Sequence, residues 1–245
     1  MEITNLNEEG INRYDILTNL AEKKILSNAR FLSIDDFTFE GRKKYNIIYY
    51  DTPENLLTNA GILLYKTWEK GNHYFIVQRL SILPSTSKLR RNEIYKHKVD
   101  ASDTPIMHSF YLINGIVSMF TTQFSIDLEN VIKNVKPIII VNIKGIIYKI
   151  FSGTGFKANL SFEEVTYINC LNKRKKFNKE LSVELLATQT FLPEFKKFIF
   201  LLEKYCKDII PKKESRFNYA KRITTMVPKK SKETTETQKK KKLKK

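Results

Sequence analysis

The sequence predicts an α+β protein built on an antiparallel β-barrel of about eight strands with flanking helices. Three observations carry that expectation. Short β-branched and aromatic runs recur along the chain, clusters of Gly, Pro, Asn and Asp separate them, and stretches with helical spacing fall between. No tandem repeat is visible, which excludes a solenoid. With 245 residues, 42% hydrophobic and 12% aromatic, the chain can bury one sizeable core.

Ile11 to Leu17 reads as a first short strand. Thr18 then suits an N-cap, and a helix over Asn19 to Ala29 would put Leu20, Ile25 and Leu26 on its apolar side. Lys44 to Tyr50 is the next strand, ended by Asp51-Thr52-Pro53, a short helical turn, and a glycine, Gly61, that restarts an apolar run. Ile62 to Trp68 and His73 to Leu80 form a hairpin around Glu69-Lys70-Gly71-Asn72. Arg90 to Val99 alternates as a strand does, and helix follows to about Lys133. The apolar segment Ile106 to Phe124 carries His108, Ser109, Asn114, Ser118, Thr121, Thr122 and Gln123, too polar for a membrane span, so it reads as a buried helix.

Pro137 to Val141 and Ile146 to Phe151 are two strands separated by Asn142-Ile143-Lys144-Gly145, and Gly153-Thr154-Gly155 reads as a hairpin turn. Leu160 to Cys170 and Lys179 to Leu186 complete the strands. Pro193 suits the start of a helix in which Phe195, Phe198, Ile199, Leu202, Tyr205 and Cys206 keep helical spacing. Trp68 and most Tyr and Phe residues are expected in the core.

The formal net charge is +17. Lys229 to Lys245 holds nine Lys and two Glu, a share of +7, so the rest of the chain still carries +10. We therefore expect a folded domain over residues 1–222 and a disordered Lys-rich tail over 223–245. A basic body implies an anionic partner: a nucleotide, polyphosphate, nucleic acid or acidic membrane surface. The tail suits non-specific, salt-sensitive contact with a phosphate backbone.

Met1-Glu2-Ile3-Thr4-Asn5 lacks the basic-then-apolar run of a secretory signal. Cys170 and Cys206 have no metal spacing and make no disulfide framework, so buried thiols in a reducing cytoplasm are expected, or a nuclear location if the source is eukaryotic. His73, His97 and His108 show no ligand spacing, no Gly-rich loop is followed by Lys-Ser/Thr, and no nucleophile–His arrangement is suggested.

Chemistry is suggested by Glu180-Leu181-Ser182-Val183-Glu184. On a strand, Glu180, Ser182 and Glu184 share one face and Leu181 and Val183 the other. Such a spacing occurs on ordinary solvated sheets, but paired carboxylates can also hold a hard cation.

Tyr49-Tyr50-Asp51-Thr52-Pro53, then Leu56-Leu57, then Ala60-Gly61-Ile62, resembles the signature of the CYTH family, the triphosphate tunnel enzymes. The resemblance covers about Ile11 to Ala220. It implies an eight-stranded antiparallel tunnel in which basic side chains grip a triphosphate and carboxylates hold Mg²⁺ or Mn²⁺. Leu160 to Tyr167 is similar to the family strand "lsFDevty", with Glu163 at the aspartate position. Glu180 and Glu184 are similar to the ends of "E-x-E-x-E", and Ser215-Arg216-Phe217 to "S-K-Y". By that resemblance Glu163, Glu180 and Glu184 are metal ligands, and Arg79, Arg91 and Arg216 contact phosphate. Asp15 and Glu93 are further tunnel candidates.

Several expected cations are missing: Leu17 stands for a lysine, Tyr65 and Thr67 for paired arginines, and Gly145 for another. The resemblance therefore implies binding of a triphosphate or polyphosphate, with metal-dependent hydrolysis of inorganic triphosphate, a nucleotide or an RNA 5′ end. The lost cations imply the alternative of a catalytically degenerate tunnel that binds anions or nucleic acid. A third class, a nucleic-acid-associated basic protein, rests on the tail alone.

Overall fold

The computed structural model describes residues 13–18, 36–69, 71–79, 94–119, 126–151, 157–185, 192–205, 209–211 and 216–225, the first and the three-residue segment by backbone only. Nine strands and five α-helices are described: β1 (Arg13–Thr18), β2 (Asp36–Asp51), α1 (Leu56–Asn59), β3 (Ile62–Glu69), β4 (Asn72–Arg79) and β5 (Ile94–Val99) come first. A 3-10 turn (Pro105–His108), α2 (Ser109–Met119), α3 (Leu128–Asn134), β6 (Lys136–Phe151), β7 (Lys157–Asn169), β8 (Lys175–Leu185), α4 (Leu192–Tyr205), β9 (Ile209–Pro211) and α5 (Arg216–Thr225) follow.

The strands form one antiparallel sheet in the order β5-β4-β3-β2-β6-β7-β8-β1-β9. The α+β class and antiparallel pairing match the sequence expectation. The count is nine where about eight were expected, because β9 adds a short rung beyond β1. Pro211 has no N–H to donate, which suits it to that edge. Among the described residues β5 and β9 do not pair, so the sheet is open where a closed barrel was expected.

Alternation along the strands gives the sheet two apolar faces. On one, Tyr50, Ile62, Leu64, Phe75 and Val77 pack with Leu57 of α1, Leu112 and Ile116 of α2, and Val131 and Ile132 of α3. On the other, Ile47, Tyr49, Leu63, Val141, Val165 and Tyr167 pack with Phe217, Tyr219 and Ala220 of α5. These are called below the α2 face and the α5 face.

The corner after β2 is organised by Asp51, which is fully buried. Its Oδ1 accepts from the N–H groups of Thr52 (2.8 Å) and Leu57 (2.9 Å), and its Oδ2 from the N–H (3.0 Å) and hydroxyl (2.8 Å) of Thr58. Thr52 Oγ1 accepts from Leu56 N–H at 3.2 Å. Asp51 thus supplies acceptors for the orphan donors of α1, a helix too short to satisfy them itself. Asn55 takes a left-handed conformation (φ 62), and its side-chain carbonyl accepts from Lys221 of α5 at 2.8 Å. The corner and the C-terminal helix are therefore tied directly.

The β3–β4 hairpin closes between paired Glu69 and Asn72 as expected, with Gly71 at φ 85 in a conformation that a side chain would strain. Other expectations differ. Residues 137–151 form one continuous strand, because Gly145 is a strand glycine and not a turn. A Cβ there would lie 2.6 Å from the carbonyl oxygen of Phe162 on the neighbouring strand, so close backbone approach explains the residue. Thr18 ends β1, paired with Ile209, and the helix expected over 19–29 lies outside the described residues, as does the 153–155 turn.

The segment expected as a buried helix is amphipathic. Leu112 and Ile116 are buried, while Met107, Phe110, Tyr111 and Val117 are exposed. No described helix is long and apolar enough to cross a membrane. Trp68, expected in the core, is 41% exposed, since it stands beside the hairpin turn, beyond the packed cluster. Cys170 is half-buried and its thiol titrates above its usual range because of burial; Cys206 lies outside the described residues. Helix α5 runs through Thr225 with Thr224 fully buried, past the boundary expected at 222. Residues 226–245 lie outside the description.

Beside the α2 face, Lys66 turns its ammonium away from solvent onto the carbonyls of Ala101 (2.8 Å) and Asp103 (2.7 Å), and burial lowers its pKa. Two histidines meet nearby, His97 Nε2 lying 3.0 Å from His108 Nδ1, while His108 Nε2 lies 2.7 Å from Asp103 Oδ2. Burial, then the charge of His108, lower the pKa of His97 from the usual 6.5, against the pull of Asp103.

Asp51→Ala is expected to destabilise the fold by roughly 2–3 kcal/mol in urea unfolding, by leaving buried N–H groups without acceptors. A lowered His97 pKa means the folded state binds fewer protons than the unfolded chain. Its contribution is present above the usual 6.5 and lost as pH falls below it. Thermal unfolding should show a drop in Tm between about pH 7.5 and pH 5.5 that is smaller in His97→Gln.

Candidate functional site

The centre of the α5 face is one row of directly paired residues: Lys43 on β2, Gly145 on β6, Glu163 on β7, Glu180 on β8 and Leu17 on β1. Register alone brings Glu163 and Glu180 side by side, although 17 positions separate them in sequence. Both are almost fully buried, at 2% and 1% exposure. Two buried carboxylates in contact would repel unless cations met them.

The cations come from opposite ends of the chain. Arg216, at the N-terminus of α5, places Nη2 2.7 Å from Glu163 Oε2 and 3.4 Å from Glu180 Oε2. Lys43 places Nζ 2.6 Å from Glu163 Oε1. The hydroxyl of Tyr167, also buried, donates to Glu180 Oε1. Lys43 reaches Glu163 across β6, and Gly145 presents no side chain in between. A Cβ on Gly145 would come within 3.4 Å of Glu163 Cγ.

Helix α5 is seated by aromatic packing and by polar ties. Phe217 lies 5.2 Å from Tyr49, centroid to centroid, Tyr49 lies 5.3 Å from Tyr65, and Tyr219 lies 5.5 Å from Tyr167. Asn178 donates to the Tyr219 hydroxyl at 2.8 Å, and Asn172 to the carbonyl of Thr224 at 3.1 Å. Tyr65 stands where the family resemblance led us to expect an arginine, and it serves this aromatic seat instead.

The sequence-derived residues divide into groups. Glu163, Glu180 and Arg216 come together in direct contact. Glu184 shares their face as expected, half-buried and paired with Asn159, with Ser182 between it and Glu180. The Ser182 hydroxyl is buried without a hydrogen-bond partner among the described residues. Leu181 and Val183 point to the other face, both fully buried. Asp15 pairs with Ser182 in register, but its side chain lies outside the description.

Arg79 is not brought to the cluster. It pairs with Ile62, on the α2 face, and is exposed. Strand alternation puts Gln78 on the α5 face in its place. Arg91 and Glu93 lie outside the described residues. Lys43 and Tyr167 were missed by sequence reasoning. The strand expected from Lys44 begins eight residues earlier in the structure, which left Lys43 unassigned to a face. A glycine inside a long apolar strand was the available signal that something crosses there.

Carboxylate oxygens are the right chemistry for Mg²⁺ or Mn²⁺. Yet among the described residues no three His, Cys, Asp or Glu side chains converge. Both oxygens of Glu163 already meet cations, and two cations balance two carboxylates. A dication does not fit this arrangement as it stands, because it would add an uncompensated charge to a buried site.

No family model and no curated protein matches the sequence. Among solved structures, HpAC1 from Hippeastrum, assigned as an adenylyl cyclase and described as having a dominant triphosphatase activity, matches at a TM-score of 0.52 and 11% identity, over 89% of this chain and 98% of that one. The fold is CYTH-like. Looser matches are a Bacillus halodurans protein assigned as an adenylate cyclase (TM-score 0.46, 13% identity, 84% and 95% coverage) and the Mimivirus capping enzyme triphosphatase (0.35, 7%, 78% and 88%).

The Arg216 guanidinium holds two buried carboxylates at once. Arg216→Ala should therefore cost about 3–5 kcal/mol in denaturant unfolding, the range for stranding buried charge. A loss under about 1 kcal/mol would mean that the carboxylates are hydrated or protonated without it.

Proposed function

We propose that this CYTH-like domain binds a triphosphate or polyphosphate group on its α5 face. The observation that carries the reading is the buried cluster of Arg216, Lys43, Glu163 and Glu180. It holds two cations, one with a planar fork suited to phosphate oxygens, at the centre of the sheet face. Lys96 and Lys98, both exposed, lie on the same face by register, on the terminal strand β5 of the described sheet. The basic balance of the chain outside its Lys-rich end favours an anionic ligand in the same way.

Between hydrolysis and binding without turnover, the internal neutralisation of Glu163 and Glu180 favours binding. Hydrolysis with Mg²⁺ or Mn²⁺ needs carboxylate oxygens that Lys43 and Arg216 now hold. It also needs cations along the transferred phosphate, and Tyr65 and Thr67 supply none. The Lys-rich segment 229–245 adds a separate, sequence-independent affinity for nucleic acid.

Calorimetry with tripolyphosphate, on the full chain and on a chain lacking 229–245, tests the reading. Binding that weakens with salt and survives the deletion is expected. Binding lost with the deletion would remove the folded domain as its source. Phosphate release from tripolyphosphate, ATP or 5′-triphosphate RNA with Mg²⁺ or Mn²⁺, abolished in the Glu180→Ala/Glu184→Ala double variant, would instead establish the hydrolase.

A further inference from the structure

Strands β2, β6, β7 and β8 also present side chains to the α2 face, on the side of the sheet opposite the carboxylate cluster. The core around α2 reaches along β2 only to Ile48, and burial resumes on β7 and β8 at Leu160 and Leu181. Between these limits register lays out Lys44, Lys144, Glu164 and Lys179 as one row, all exposed. The row on one side of it is Asn46, Asn142, Thr166 and Phe177; on the other side Arg42 is exposed. Lys44 and Lys144 are direct partners, and like charges placed opposite each other weaken a sheet. Three lysines and Arg42 stand against the one carboxylate of Glu164, so this stretch suits an anionic partner better than it suits the fold.

Aromatic rings flank the cations. Phe39 pairs with Tyr148 in register, on the same face as Arg42, and is 56% exposed. Its ring meets Tyr148 edge-on at 6.0 Å, and Tyr148 meets Phe162 at 6.1 Å, which fixes its position. Phe177, at the far end of the asparagine row, is also 56% exposed. Rings this open do little to fill a core. They do offer flat apolar faces beside positive charge.

We propose that this open part of the α2 face is a docking surface for single-stranded nucleic acid. Arg42, Lys44, Lys144 and Lys179 meet the phosphates, and Phe39 and Phe177 stack on unpaired bases. Asn46 and Asn142 add amide donors and acceptors for base edges, which lipid head groups do not present. A duplex hides its base faces and a polyphosphate has none, so neither uses the rings. The surface lies across the sheet from Arg216, and the proposal does not rest on anion binding there.

The test is fluorescence anisotropy of a labelled oligothymidylate on the full chain, across a salt series. Phe39→Ala and Phe177→Ala should each weaken binding roughly tenfold and leave the salt dependence unchanged. Lys144→Met should instead lower the slope of log affinity against log salt by about 0.7. The same oligonucleotide annealed to oligoadenylate should be insensitive to both Phe variants. Affinity that none of the three variants moves overturns the proposal and leaves the Lys-rich segment 229–245 as the source. A loss of equal size on the duplex, or one confined to phosphatidylserine vesicles, overturns it too.

Thermal melts check each variant. If Phe39→Ala unfolds, Phe177→Ala decides alone. Tripolyphosphate affinity, read by calorimetry, should be unchanged in both Phe variants. A parallel fall would make the rings structural and overturn the docking surface. A chain that binds no tripolyphosphate but loses oligothymidylate with the rings would remove the α5-face reading and keep this one.

Discussion

The contact between Arg216 and the paired carboxylates of Glu163 and Glu180 is the constraint on which the rest of the structure depends. Two strands, β7 and β8, and the helix α5 meet there. Placing Glu163 beside Glu180 is a consequence of β7–β8 register, and a slip of one residue would put them on opposite faces of the sheet. The guanidinium makes the juxtaposition tolerable, and in doing so it fixes where α5 begins. Phe217, Ala220 and Thr224 then fall against the sheet at helical spacing, and each is buried. A polar requirement at one end of the helix thus decides which apolar surface the whole helix covers.

Asp51 plays the corresponding part at the corner after β2. It is an acceptor-only residue placed where a four-residue helix leaves donors unmet. Through Asn55 and Lys221 the corner it builds is joined to α5, so the two polar centres brace one helix between them. The Asp-Thr-Pro run in the sequence is therefore a structural device. The chemistry is decided elsewhere, where Tyr65 meets Tyr49 and Gly145 gives way to Lys43.

Much of this was legible in the sequence where a local rule decides the outcome. Gly71 marked the hairpin, the Asp-Thr-Pro run marked the corner, and period-two spacing put Glu180, Ser182 and Glu184 on one face. What escaped depends on partners distant in sequence. Gly145 reads locally as a break, and only the neighbouring strand reveals why a glycine is needed in mid-strand. Helix α5 fills core positions with Ala220 and Thr224, which leaves a faint apolar pattern. Lys43 lay one residue outside the expected strand. Arg79 was assigned by similarity, but strand alternation turns it to the α2 face, a matter of parity that no motif reports.

The longest ladder of the sheet, β2 against β6, joins residues 36–51 to residues 136–151. No hairpin links these strands, and even the nearest rung, Asp51 with Lys136, joins residues 85 positions apart. The chain thus has a high contact order at its centre, while the β3–β4 and β7–β8 hairpins are local. Folding is expected to begin in those hairpins and to wait on the union of the two halves. Until that union the Lys43–Gly145–Glu163 row does not exist. The site and the last slow step of folding are, on this view, assembled by the same event.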